Sequence, residues 1–305
     1  MGSKDLEPYA HQIVDMYQLD VVVLSDSTED EVRDLFLRLQ NGTNLKAQEK
    51  RNAMSGKMRD FCHNLVNHDF FKNSLTIKNS RFLHDLLAAQ MCLVTINKGP
   101  CNVKDANLNK LYDENTDFDE NSKIAKDVIK TLDFLYTIFP NKTPELKRPY
   151  VLVIFIVTQT LLNEYAIKGR EKEIFDWFID FVAREETESK KSEDEQDKGF
   201  FMYHEKSQHS TDTEDSLDWR YKFLLDDLFL TLPNVQQKDP KRLFDEYQRK
   251  AIFRKNKGIC QICGRECTWN TFQADHIKAW NKGGATTVEN GQVLCQECNA
   301  RKSDN

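Results

Sequence analysis

The clearest pattern of apolar and polar positions lies near the N-terminus, where "TEDEVRDLFLRLQNG" sets Val32, Leu35, Phe36 and Leu39 at spacings of three and four. That periodicity predicts a helix. Thr28 and Glu31 stand where a capping box closes a first turn, and Asn41-Gly42 supplies the stop. Just before it, "LDVVVLSD" at 19–26 is rich in β-branched residues and reads as a short strand. A second helix is expected over 45–66, with Ala53, Met54, Met58, Phe61, Leu65 and Val66 toward the core. Further helices are expected near 80–96, 122–139, 144–168, 171–185, 214–230 and 240–256, although the β-branched run around Val151 also permits a strand. Residues 184–199, "REETESKKSEDEQDKG", hold almost nothing apolar and mix both signs of charge, so they read as a solvated, mobile connector. The fold class expected is mainly α: a mostly helical region over 1–183, the connector, a helical segment over 200–239 that packs back on that region, and a small C-terminal domain over 240–305.

Length and composition agree with two globular domains, since the chain has 305 residues, 39% hydrophobic and 30% charged. The net charge of -6 hides an asymmetry. From Lys241 to Asn305, 12 Lys and Arg stand against 7 Asp and Glu, a balance of +5, whereas 1–240 carries 31 against 42, a balance of -11. Only the tail suits a phosphate backbone. The longest apolar run, "VLVIFIV" at 151–157, is far short of a membrane span. The opening "MGSKDLEPYAHQ" has no basic segment followed by an apolar one, so no signal peptide is read there. Four of the eight cysteines form two Cys-x-x-Cys pairs, a usage that fits a reducing cytoplasm better than a disulfide scaffold.

Those pairs, Cys260/Cys263 and Cys295/Cys298, meet the ligand count and knuckle spacing of a closed tetrahedral zinc site, and thiolates suit that metal. Such zinc is structural and supplies folding free energy to a segment too small for a sizeable core. Cys267 reads as a bystander. The spacer of 31 residues between the pairs is long for a plain four-cysteine site and suggests an inserted working element. Within it stands Asp275-His276. Phosphodiester hydrolysis needs a base for water and a divalent cation to neutralise charge on the phosphate. His276 titrates near neutral pH and suits the base. Asp275 offers a hard oxygen ligand and Asn299 a second, a donor set that favours Mg2+ or Mn2+. Gly283-Gly284 reads as the bend between two strands, the second ending near Leu294, with a helix running on from Cys295 or Gln296 through Lys302. Arg249, Arg254, Lys278, Lys282, Arg301 and Lys302 are candidate phosphate contacts, or equally a solvated basic face.

Taken together, "CQICG", "ADHIKAWNKGGATTVENGQ" and "LCQECNARK" resemble the HNH endonucleases with a ββα-metal fold, in their four-cysteine branch. The resemblance implies a DNA-cleaving domain in which Asp275 and Asn299 bind the catalytic divalent metal, His276 is the general base and Asn290 holds the base loop. The third motif position, often His in that family, is Asn299 here. A zinc-stabilised DNA-binding module without cleavage is the rival reading. One active site per chain favours pairing of two chains for a double-strand break.

"EVRDLFLRLQNGTNLKAQEKRNAMSG" resembles the C-terminal half of the ParB/sulfiredoxin-like domains of GmrSD- and SspE-type restriction proteins, through Arg38-Leu39-Gln40, Gly42, Leu45, Glu49, Arg51 and Ala53. This implies a role in restriction or antiphage defence, with the helical region regulating or sensing and the nuclease as its output. The family's upstream Asp-Gly-Gln-Gln-Arg motif is not in the chain, which reads as a piece of a longer protein whose ParB-like upstream half is missing, or else as a branch of the family that lacks that half. Without that half, Glu49 and Arg51 read as an exposed helical charge pair, and His63, His68 and His84 fit no metal spacing.

Overall fold

A computed structural model of the chain describes residues 45–303 except 193 and 233–234, with scattered positions before 45. Residues 1–45 and 46–305 form two compact units. In the first, Glu31, Val32, Leu35 and Arg38 are helical. The capping box is formed: Thr28 N donates to Glu31 Oε2 at 2.8 Å and Glu31 N to Thr28 Oγ1 at 3.3 Å. Val21 and residues 23–25 are not in a strand, while Phe36, Leu39, Gln40 and Asn41-Gly42 lie outside the described residues.

The helix expected over 45–66 is two helices, α1 (Ala47–Asn52) and α2 (Lys57–Leu65). Gly56 divides them. Its φ of 123° is costly for any other residue, and a Cβ there would sit 3.1 Å from Thr116 Cα. Lys57 N donates to Thr116 O at 2.8 Å, fixing this close passage. Arg51 corrects the expectation of an exposed charge pair. It is buried, and donates to Gln48 Oε1, Asp105 Oδ1 and Asn109 Oδ1, while Glu49 pairs with Arg81.

Helix α3 (Leu83–Ile96) is followed by α4 (Asp105–Glu114), a mostly polar helix that buries only Leu108, Leu111 and Tyr112 and so escapes a periodicity search. Next come α5 (Lys123–Ile138), capped by Ser122, and α6 (Arg148–Glu164). Around Val151 the helix wins over the strand. Pro149 pre-sets the first turn, and residues 150–159 are buried on every face, so β-branched side chains pack as a central helix. Then follow α7 (Glu171–Glu188), α8 (Lys198–Gln208) and α9 (Glu214–Thr231). The charged stretch 184–199 is thus helical at both ends, a correction to the connector. Its Glu185 is buried because it has partners: Tyr150 Oη donates to it at 3.0 Å and His204 Nδ1 lies at 2.6 Å. One apolar core runs continuously from Met58 to Leu232.

The C-terminal part has its own small core of Phe244, Ile252, Phe272 and Val293. Helix α10 (Glu246–Lys255) begins at a capping box made by Asp245 and Gln248, later than the expected start at 240. Strand β1 (Gln273–His276) pairs antiparallel with β2 (Gly291–Leu294), in a register that sets Asp275 against Gln292 and His276 against Gly291. Helix α11 (Gln296–Ser303) packs against β1. Among the described residues no helix is long and apolar enough to cross a membrane.

Candidate functional site

The four knuckle cysteines converge. The Sγ atoms of Cys260, Cys263, Cys295 and Cys298 all lie within 4.8 Å of one another, with Cys263 and Cys295 at 3.8 Å. Zinc–sulfur bonds of about 2.3 Å place tetrahedral sulfurs about 3.8 Å apart, so the set fits zinc. Gly264, at φ 74°, turns the first knuckle back so that Gly264 N donates to Cys260 O at 2.9 Å. Backbone N–H groups and the Arg265 guanidinium draw the Cys263 thiol down to about 6, while burial and the neighbouring sulfurs push Cys298 up to about 12. Four thiolates this close repel one another, and a divalent cation is what allows all of them to ionise. Cys267 stands outside the set.

His276 closes β1 and is 8% exposed. Phe244 lies against it, ring centroids 4.4 Å apart, and its Nε2 is 3.0 Å from Thr286 Oγ1. Burial pushes its pKa below the ordinary value, Asp275 opposing that shift and Lys302 adding to it. Adjacent strand residues face opposite ways, and Asp275 turns to α11 instead. There Lys302 Nζ donates to Asp275 Oδ2 at 2.5 Å and also to His276 O, while Gln292 Nε2 reaches Asp275 Oδ2 at 3.0 Å. Asn299 stands three residues before Lys302 on α11 and is half-buried.

The loop between the strands spans residues 277–290 and is tied by Asn290. Its Oδ1 accepts from Lys278 N at 2.8 Å, and its Nδ2 donates to Lys278 O at 3.1 Å and Ala285 O at 2.8 Å. Gly284 permits this closure, since a Cβ there would fall 1.8 Å from Lys278 O. A strap from the helical part clasps the same loop. Trp280 Nε1 donates to Asp239 O at 2.7 Å, Thr286 N to Asp239 Oδ2 at 2.8 Å, and Lys278 Nζ to Gln236 Oε1 at 3.0 Å. At its other side the strap joins the end of α6, Lys238 N donating to Glu164 O at 2.7 Å and Ala166 N to Gln236 O at 2.9 Å.

The six candidate cations do not share one setting. Arg254, Lys282 and Arg301 are exposed, and Lys278 is exposed but bonded to Gln236. Arg249 lies over Phe272 and Trp269, at 5.1 Å and 5.8 Å from the ring centroids, and Lys302 is engaged with Asp275. Thr286, Gln292 and Asp239 escaped the sequence reading, which has no signal for hydrogen bonds that form only on folding. In the helical part, a cleft of 800 Å³ is lined by Gln48, Arg51, Arg81, Phe82, Lys104 and Arg148, among others. Of the histidines there, His63 lies 2.7 Å from Asp85 Oδ1 and His84 Nε2 2.8 Å from Ile77 O, and none joins a metal-binding group among the described residues.

A zinc-knuckle pair enclosing a two-stranded sheet and a helix is the layout that the family comparison picks out: the model for HNH endonuclease matches residues 260–305. The C-terminal segment carries an HNH endonuclease domain, with four cysteines placed to bind a metal. No curated protein and no solved structure matches the chain.

Proposed function

We propose that this chain is a metal-dependent DNA endonuclease in which His276 is the general base. The observation that carries the reading is a buried, immobilised imidazole at the end of β1, next in sequence to a carboxylate that faces helix α11. Asp275 and Asn299 are the residues that would hold Mg2+ or Mn2+. A divalent ion there supplies charge neutralisation on the phosphate and on the leaving oxygen. Asp275 fits this role as a partly exposed hard oxygen donor, and one or two such carboxylates with substrate phosphates suit magnesium. His276 takes a proton from water, Asn290 keeps the base loop closed, and the cysteines hold structural zinc. Arg254, Lys282 and Arg301 are best placed to meet phosphates, followed by Lys278.

Supercoiled plasmid incubated with Mg2+ or Mn2+ tests the reading. Wild type is expected to give nicked or linear DNA, and His276→Ala to lose at least about 100-fold in rate, the usual weight of a general base. Intact plasmid with both proteins, together with salt-sensitive binding, would establish the binding module without cleavage instead.

The resemblance of 31–56 to restriction-protein domains supports a place in bacterial restriction or antiphage defence, in the cytoplasm, with two chains pairing for double-strand breaks. A regulated nuclease is a second reading. The cationic cleft among α1, α3, α4 and α6 favours it, because α6 is the helix on which the strap is anchored. Cleavage that persists without control after removal of residues 1–235 would support that arrangement.

A further inference from the structure

We propose that Thr286 is a positioning residue for His276, fixing its ring as the Nε2–H tautomer and leaving the Nδ1 lone pair as the basic site. A threonine hydroxyl has a single proton. That of Thr286 goes to Lys241 O, a carbonyl with no proton to return. The 3.0 Å contact between Thr286 Oγ1 and His276 Nε2 must then be filled by a proton on the nitrogen. In its neutral form the imidazole carries one N–H, so with that proton on Nε2 the lone pair is left on Nδ1.

Thr286 is itself held on every side. It is 4% exposed, its N–H donates to Asp239 Oδ2 at 2.8 Å, and its carbonyl accepts from Gln248 Nε2 at 2.8 Å. With Phe244 against the ring, the imidazole has little freedom to turn over. The catalytic consequence rests on the reading of His276 as base. The tautomer does not.

The experiment uses the full-length, zinc-loaded chain labelled with 15N-histidine, the His276 resonances being assigned by their loss in His276→Ala. Wild type at pH 7.5 is expected to show a protonated Nε2 and an unprotonated Nδ1, and Thr286→Val to show mixed tautomers. In the plasmid assay Thr286→Val should lower kcat about 10-fold or more with KM for DNA unchanged, whereas Thr286→Ser, which keeps the hydroxyl, should stay within about 3-fold of wild type. A wild-type His276 protonated on Nδ1, or a folded Thr286→Val with wild-type tautomer and kcat, overturns the proposal. If His276→Ala cleaves normally the base assignment fails, and the spectra still decide the role of Thr286. If Thr286→Val does not fold, the wild-type spectrum and the Thr286→Ser rate carry the decision.

Discussion

At the scale of single residues, Gly284 and His276 show how little room the base loop has. Gly284→Ala would drive a methyl into Lys278 O, a backbone atom that Asn290 holds in place. Melting curves should show a loss of about 1–3 kcal/mol, the ordinary cost of overpacking a closed site. His276 makes a pH prediction. Its folded pKa lies below the unfolded value, so between the two the unfolded chain binds the extra proton. The contribution to stability is therefore full above about pH 6.5 and declines as the pH falls below it toward the folded pKa. Stability measured from pH 7.5 to pH 5 should fall less steeply in His276→Gln than in wild type. Single residues also mark what sequence reading can reach. The Asp-His pair and the paired cysteines were legible because their chemistry depends on residue type and local spacing. Thr286 was not, because its partners Asp239 and Lys241 stand more than forty positions away. Arg51 was misjudged as exposed because its desolvation is offset by Asp105 and Asn109, a match that no local pattern announces.

At the scale of elements, the C-terminal ββα unit has too small a core to stand without its metal. Phe244, Ile252, Phe272 and Val293, with Leu294 beside the cysteines, are a fraction of the core that an independent domain needs. Stripping zinc with a strong chelator should unfold α10, the two strands and α11 while leaving α2 to α9 folded. Amide hydrogen exchange checks this, with protection lost after about residue 245 and kept in α3 and α6. Uniform loss along the chain would contradict it. Gly56→Ala probes the other end. It forces a side chain to φ 123° against Thr116, and a drop of about 1–3 kcal/mol in urea unfolding is expected. The long helices were legible where periodicity or capping was strong, as in α5 and α9. The break at Gly56 was not, since the pattern of apolar positions runs through it and only the passage of the chain beside Thr116 demands the turn. Helix α4 escaped notice for the opposite reason, having too few apolar positions to register.

At the scale of the whole molecule, the separation of charge along the chain makes a prediction about binding. With Arg249 packed on aromatic rings and Lys302 bound to Asp275, three of the six candidate cations, Arg254, Lys282 and Arg301, are exposed and stand as the proposed phosphate contacts. A plot of log Kobs against log salt should then have a slope of about -3, each Ala replacement among the three making it shallower by about 1. A slope near -8 would mean that further exposed cations, such as Lys241, Arg242, Lys255 and Lys257, also contribute contacts. The segment 236–241, hydrogen-bonded to the end of α6 on one side and to the 277–290 loop on the other, has a practical bearing on anyone who wishes to graft the HNH domain onto another protein. Severing the chain at 240 would discard the carboxylate of Asp239 and orphan the indole of Trp280, so a portable version has to begin no later than Gln236.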